Sequence, residues 1–245
     1  MELSHHPLNK GAVMDVQDVD FEEWYQGATP MGRKMPWDLG TPQPAVVALA
    51  DAGEFTGAVL DIGCGLGDNS AFLASRGLHV TGLDGAPSAI EQARARAAAK
   101  GLDVEFAVAD ATKLEGYEGR FDTVLDSALY HCLGEDERRR YLAALTRATR
   151  PGARLHLFAF SPEVPDAFPA PYPITEANLR ETVGRDWTIE RLEPAVYTTS
   201  MTSEELRQSV RAILAEDDAG GLDRLSTDAE GRVLVPVWQL TAVRR

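Results

Sequence analysis

Asp61-Ile62-Gly63-Cys64-Gly65-Leu66-Gly67 sets three glycines at alternate positions behind an acid and an apolar run. Glycine enters left-handed backbone without a Cβ penalty, so the chain can turn tightly there and bring its N–H groups against a ligand. A dinucleotide-binding loop is spaced GxGxxG. Counted from Gly63, the third glycine of that pattern falls on Asp68. A carboxylate at a helix start opposes a pyrophosphate, which needs the positive end of the helix. The GK[ST] ending of a phosphate-cradling loop is missing as well. Acids around such a loop suit a ligand of net positive charge. Asp84 follows about 20 residues later, where a carboxylate accepts from two ribose hydroxyls in nucleotide-binding folds. Asp110 stands at a third comparable position. Taken singly, Asp61 can be a helix cap, and Asp84 and Asp110 can be turn residues.

These acids are useful only if strands deliver them to one edge. Ala58 to Ile62 reads as a buried strand, and Asp68 to Arg76 as a helix stopped by Gly77. His79 to Leu83 is a second strand ending at Asp84. A helix runs from Pro87 to Gly101, with Ile90, Ala93 and Ala97 at helical spacing. Val104 to Val108 and Phe121 to Leu125 are two more strands. Glu135 to Thr149 is a helix, and Leu155 to Phe160 a fifth strand. Strands alternating with helices imply a mostly parallel sheet, whose ligands sit beyond the strands' carboxyl ends. The acids fall there.

Bulk properties narrow the partners. The 245 residues and 44% hydrophobic content suit one sizeable core. The net charge of −14 argues against nucleic acid, which needs a basic stripe. Cys64 and Cys132 form no metal-ligand spacing and no disulfide framework, so no metal is expected and a cytoplasmic setting is. The first residues lack the basic start and apolar run of a signal peptide, so no secretory leader is expected, and no apolar run of about 18 residues predicts a membrane span. His5-His6 reads as a solvated pair rather than a metal site.

Asp61–Gly67, Asp84 and Asp110 resemble the first three cofactor motifs of the class I S-adenosylmethionine-dependent methyltransferases. Phe121-Asp122-Thr123-Val124-Leu125-Asp126-Ser127 resembles the fourth, and Arg150-Pro151-Gly152-Ala153-Arg154-Leu155 the turn before the fifth strand. The likeness spans about 57 to 160. It implies an α/β fold: a Rossmann-like, seven-stranded, mostly parallel sheet with helices on both faces and an antiparallel last strand. Val233 to Val243 fits that strand, and Pro236 predicts a bulge or bend in it. The organisation expected is one methyltransferase domain: a lid segment 1–55, a core 57–196, a helical insert 198–232 and a final strand 233–245. S-adenosylmethionine, leaving as S-adenosylhomocysteine, is the implied cofactor. It carries a sulfonium and an ammonium and no phosphate, in keeping with the acids. The cofactor set is Trp37, Asp61, Gly63, Gly65, Asp84, Gly85, Asp110, Ala111 and Ser127. Within it Asp61 would meet the ammonium, Asp84 the ribose, and Asp110 with the Ala111 N–H the adenine.

On the acceptor side, His131 follows the fourth strand and is the candidate base for a phenol-like or N-hydroxyl proton. It can instead simply pack the loop. Tyr130 can orient the acceptor or fill the core, and Cys132 reads as a small buried residue. The aromatic stretch Phe21, Trp24, Tyr25, Met31, Met35 and Trp37 reads as a lid over both ligands. Five prolines stiffen 161–173, where Phe168 and Tyr172 can form an apolar wall. Thr202-Ser203-Glu204-Glu205 gives a capping box for a helix with Leu206, Val210, Ile213 and Leu214 on one face, closed by Gly220-Gly221. The acceptor-side residues are therefore Trp24, Tyr25, Tyr130, Phe168 and Tyr172. The front segment resembles thiopurine-methyltransferase-like and heterocyclic-toxin methyltransferases, which implies O-methylation of a phenol, quinolone or quinol hydroxyl. N- or S-methylation, a nicotinamide-dependent oxidoreductase and a binding protein without chemistry are the competing readings. A small-molecule acceptor, no nucleic acid or membrane partner, and a monomer or homodimer complete the expectation.

Overall fold

A computed structural model describes residues 20–27, 35–168, 172–213 and 221–245. The His5-His6 pair, Met31, three residues of the proline-rich loop, Leu214 and Gly220 lie outside them. The strands are β1 Ala58–Ile62, β2 His79–Asp84, β3 Glu105–Val108, β4 Phe121–Ser127, β5 Thr149–Phe160, β6 Trp187–Thr202 and β7 Arg232–Arg244. The helices are α1 Phe21–Tyr25, α2 Pro44–Asp51, α3 Asp68–Ser75, α4 Pro87–Ala99, α5 Glu135–Ala148, α6 Glu176–Val183 and α7 Ser203–Ile213. The seven strands order as β3-β2-β1-β4-β5-β7-β6. Six strands run in one direction and β7 runs opposite to them, antiparallel to both β5 and β6. The strand order reverses between β1 and β4, so a crevice opens at their carboxyl ends.

Alternation along the strands splits the core into two layers. Leu60, Val124, Leu155 and Leu240 pack against Tyr141 and Leu145 of α5 and Leu179 of α6. On the other face Val59, Leu125, Phe158 and Val237 pack against Val46 and Leu49 of α2 and Leu73 of α3. The α4 helix closes β3 through Ile90, Ala93, Ala97 and Phe106. A further cluster stands at the acceptor end, where Leu206 and Val210 of α7 meet Trp24, Phe168, Met201 and Leu222.

The capping box of α7 forms between Thr202 and Glu205, with backbone N–H contacts of 2.8 and 3.3 Å. The sixth strand continues to Thr202, so the helical insert begins at Ser203 rather than at 198. Pro236 causes no register break. The β6–β7 irregularities lie at Ile189/Arg191 and Thr198/Thr202. The Pro236 carbonyl accepts from Ser161 N–H at 3.2 Å, just past the last β5 pair, Phe160 with Val237. Its missing N–H points to that same vacated side, so the ladder to β6 survives.

Candidate active site

One cavity of about 1810 Å³ covers the carboxyl ends of β1 to β4. That exceeds the roughly 300–1,000 Å³ of a pocket for a single small ligand, so two molecules can meet in it. The loops after β1, β2 and β3 form one half. Residues 20–27 and 35–43, which border the opening as a strap, and the residues after β4 and β5 form the other.

In the first half the β1 loop is tied to β2. The N–H groups of Gly63 and Cys64 donate to the Leu83 carbonyl at 2.7 and 3.0 Å. Gly63, Gly65 and Gly67 all have positive φ. A Cβ on Gly63 would lie 2.8 Å from Leu129 Cβ, and one on Gly67 2.7 Å from Phe106 Cζ. These glycines are therefore required twice, by conformation and by close approach. Asp84 accepts from Gly65 N–H at Oδ2 (2.8 Å) and from Ala86 N–H at Oδ1 (2.9 Å). A carboxylate has about four acceptor sites, so each oxygen keeps a lone pair for a hydroxyl in the cavity. Burial pushes the Asp84 carboxyl upward, with its backbone hydrogen bonds opposing. Gly85 borders the cavity, and a Cβ there would meet only open space.

Asp61 lies beneath the loop. Its Oδ2 accepts from Ser70 Oγ at 2.5 Å, while Oδ1 is buried without a partner. Burial pushes its carboxyl up to about 7. Such an orphaned oxygen suits a ligand cation, but Asp61 does not line the cavity itself. Asp110 and Ala111 do. The Asp110 carboxylate is held by its own turn, through Thr112 N–H and Oγ1 at 2.9 and 2.6 Å and Lys113 Nζ at 2.9 Å. The Thr112 and Lys113 contacts hold it down at about 2.

Asp68 corrects one sequence argument. It is paired with Arg96 at 3.1 Å and Lys100 at 3.6 Å, so it is not the bare charge that would repel a phosphate. The negative field at the loop comes instead from Asp84, with Glu22 close enough to raise its carboxyl further.

The strap is fastened on two sides. Glu22 accepts from Ser88 N–H at 3.0 Å and from Ser88 Oγ at 2.5 Å, at the start of α4. Gln92 donates to the Tyr25 carbonyl at 3.0 Å, and Arg96 grips both oxygens of Asp38 at 2.8 and 3.0 Å. From β6, Ser200 donates to the carbonyls of Pro36 and Met35, each at 2.7 Å. Trp37 stacks on Trp24 at 5.6 Å and donates its indole N–H to Tyr25 Oη at 3.2 Å. Tyr25 Oη stands over Gly65, 2.8 Å from where a Cβ would be. The structure thus sets Tyr25, expected on the acceptor side, against the glycine loop.

In the second half Phe160 stacks on His131 at 4.0 Å, and Phe168 meets Phe160 edge-on at 5.6 Å. With Tyr172 they line the cavity. His131 is 3% exposed and its Nδ1 accepts from Phe160 N–H at 3.2 Å. A neutral imidazole accepting at Nδ1 carries its proton on Nε2. Burial pushes the ring down to about 3, aided by the nearby Arg138 charge. Its accepting lone pair is occupied and its basicity is low, so the geometry opposes the general-base role and leaves a donor, Nε2–H.

Tyr130, expected on the acceptor side, does not line the cavity. It is fully buried, with Oη 3.0 Å from Asn178 Oδ1 and 2.5 Å from Thr182 Oγ1 on α6. It packs the core because Asp126 accepts the N–H groups of Leu129 and Tyr130, at 2.8 and 3.2 Å, and turns the chain inward. Burial raises the Cys132 thiol, which suits a packed residue and not a nucleophile. Ser127 lies where β4 runs out, bonded to Asn69 and Tyr197. Gln43, Asn69, Tyr197 and Thr199 also line the cavity and were missed in the sequence. They come from the strap, α3 and β6, and no motif joins them. Among the described residues no cluster of metal-ligating side chains and no helix able to cross a membrane is found.

A doubly wound sheet, a glycine loop with an acid at the next strand end and a cavity for two ligands define a nucleotide-type transferase site. Residues 59–152 match a methyltransferase-domain family. The chain belongs to the class I S-adenosylmethionine-dependent methyltransferases of the small-molecule type. It is 40% identical over 185 residues to 2-heptyl-1-hydroxyquinolin-4(1H)-one methyltransferase of Mycobacteroides abscessus, which covers 74% of this chain and 81% of that one. A solved structure from work on the conversion of a disulfide bond into a thioacetal group during echinomycin biosynthesis matches with TM-score 0.74 at 36% identity, over 91% of both chains. An S-adenosylmethionine-dependent methyltransferase of Anabaena variabilis matches with TM-score 0.67 at 15% identity, over 97% of this chain and 100% of that one. That last likeness concerns the fold alone. The oxidoreductase reading is set aside.

Proposed function

We propose that the protein methylates a ring-borne hydroxyl oxygen of a flat heteroaromatic small molecule. One observation carries this: a single cavity is acidic at its glycine loop and aromatic at its other end, where His131 stacks on Phe160 and Phe168 meets Phe160 edge-on. When bound, S-adenosylmethionine supplies a methyl group activated by its sulfonium and leaves as S-adenosylhomocysteine. Asp84 takes the ribose hydroxyls, and Gly63, Gly65 and Gly85 leave room for the backbone to approach. Asp61 stabilises the ammonium from beneath the loop, and Asp110 with Ala111 borders the adenine. Trp37 and Tyr25 close over the cofactor from the strap. Trp24, Phe168 and Tyr172 frame the acceptor plane. Positioning does most of the work, since aligned reactants can reach effective molarities of about 10⁵–10⁸ M.

His131 acts as a neutral donor through Nε2–H. The acceptor therefore arrives already ionised, which favours acidic hydroxyls such as that on the nitrogen of a hydroxyquinolone. The quinolone relative supports this reading. A sulfur acceptor is the second reading, favoured by the echinomycin-related structure.

Labelled-methyl transfer to hydroxyquinolones, phenols, thiols and amines tests it, with the product located by NMR. The methyl is expected on the hydroxyl oxygen. The pH profile of kcat/KM should follow the acceptor's own ionisation, and His131→Gln should lower turnover about 10–100-fold, the worth of a hydrogen bond to a charged group, without moving that profile. Methylation at sulfur or nitrogen only would overturn the assignment.

A further inference from the structure

Where the two halves of the cavity meet, four segments close a hydrogen-bonded ring that the methyl-transfer roles above leave unused. Gln43 of the strap pairs with the Thr198 backbone, donating to its carbonyl at 2.9 Å and accepting its N–H at 3.3 Å. Gln43 N–H donates to Asn69 Oδ1 on α3 at 2.9 Å. Asn69 Nδ2 donates to Ser127 Oγ at the end of β4, at 3.1 Å. Ser127 Oγ lies 2.7 Å from Tyr197 Oη on β6, next to Thr198 in the chain. Gln43, Asn69, Ser127 and Tyr197 all line the cavity.

Counting protons gives the ring a direction. A backbone N–H can only donate, so Asn69 must turn its oxygen to Gln43 and its NH₂ to Ser127. Ser127 Oγ is therefore an acceptor from Asn69. The Tyr197 hydroxyl can donate to Ser127 Oγ at 2.7 Å or to the Ser127 carbonyl at 3.4 Å. A phenol is the stronger donor and an alcohol oxygen the stronger acceptor, so the 2.7 Å contact runs from Tyr197 O–H to Ser127 Oγ. Both lone pairs of Ser127 Oγ are then filled, and its own proton is unspent. Two donors on one hydroxyl polarise it and make its O–H a stronger donor.

We propose that Ser127 Oγ–H is a second donor, beside His131 Nε2–H, to a negatively charged oxygen of the acceptor, with Asn69 and Tyr197 as the positioning residues that aim it. Ser127 thus serves the acceptor and not the cofactor. Tyr197 acts only through Ser127, and Gln43 couples this donor to the strap. The ring gives the site a preference for acceptors bound as oxyanions over neutral isosteres. The inference rests on the hydroxyl-acceptor reading of the proposed function.

The test uses the full chain with 1-hydroxyquinolin-4-one as acceptor and its O-methylated product as a neutral isostere. Ser127→Ala should raise the acceptor KM about 10-fold, by loss of one hydrogen bond to a charged oxygen. Tyr197→Phe, which keeps the ring against Phe158, should raise it by a smaller factor, and the double variant should match Ser127→Ala. The inhibition constant of the methylated product and the calorimetric affinity for S-adenosylhomocysteine should stay within about twofold in all three. A merely structural loss would weaken the neutral product as well and would overturn the proposal. So would a tenfold loss of S-adenosylhomocysteine affinity with an unmoved acceptor KM. Failure of the underlying reading shows elsewhere, as a wild-type protein that methylates no hydroxyl.

Discussion

From β1 to β3 the cavity is made by backbone. Peptide N–H groups, positive-φ glycines and one acid per strand end hold the site, and all lie within a continuous stretch of about fifty residues. Beyond β4 it is made by side chains gathered from distant segments: Trp24 and Trp37 of the strap, His131 after β4, Phe160 at the end of β5, Phe168 beyond it, and Tyr197 on β6. In the proposed function the first half holds a ligand shared by a whole class of enzymes. The second recognises whatever its particular walls admit. A site written in backbone fails when its shape is broken, whereas a site written in side chains can change partner by substitution.

The sharpest way to break this contrast is Asp84→Ala. Asp84 binds two loop N–H groups as well as facing the cavity. Its loss should cost at least about 1.5–3 kcal/mol of S-adenosylhomocysteine affinity by calorimetry, the range for hydrogen bonds involving a charge. The acceptor wall should be untouched, so product binding should change little. Equal losses for both ligands would mean that the halves are not separable.

The same contrast decides what could be read in the sequence. The strands, their order of appearance and the glycine loop were legible because period, glycine spacing and turn residues are local signals. The acids Asp84 and Asp110 were legible because each closes a strand. Tyr130 and His131 were not, since nothing local says which of two neighbours on a turn faces inward. Asp126, by accepting two N–H groups, rotates that turn and buries Tyr130 against α6. Gln43, Asn69 and Tyr197 were illegible for a plainer reason: they meet only after strap, helix and sheet have packed. Asp68 misled because its partners, Arg96 and Lys100, sit on and at the end of another helix, α4.

Buried titratable groups separate the halves by sign. His131 on the acceptor side and His156 in β5 are held at about 3 and about 4 by burial. Asp61 beneath the glycine loop and Asp126 at the junction are pushed up to about 7 and about 6, also by burial. An unfolded histidine binds its proton near pH 6.5. Between about pH 6.5 and 4 the unfolded chain holds histidine protons that the native protein lacks, so acidification destabilises. Across the same window the two carboxyls keep protons in the native state that the unfolded chain has lost, so acidification stabilises. The two contributions oppose, and wild-type stability should be nearly flat from pH 6 to 4.5. His156→Gln removes one histidine and should tilt the curve, with stability rising on acidification by up to about 1.4 kcal/mol per pH unit. Denaturant melts at several pH values would show it, and an unchanged slope would deny His156 its neutral state.

The smallest effect expected tests whether the strap belongs to one half or both. Arg96 joins Asp38 of the strap to Asp68 at the start of α3. All three groups are partly exposed, so solvent screens the pairs and each is worth about 0.2–1 kcal/mol. Arg96→Met keeps much of the aliphatic stem and removes the charge, leaving Asp38 and Asp68 to repel. Glu22 with Ser88, and Gln92 with the Tyr25 carbonyl, still hold the strap. It should loosen without detaching. Because Tyr25 reaches the glycine loop while Trp24 and Trp37 pack on the cluster that holds Phe168, both ligands should weaken by a similar factor of about 1.5–5. Wild type should lose the same advantage at high salt, since partly exposed pairs are screened. A loss confined to S-adenosylhomocysteine would assign the strap to the backbone-built half alone. A loss confined to the acceptor would make it part of the wall that sets specificity.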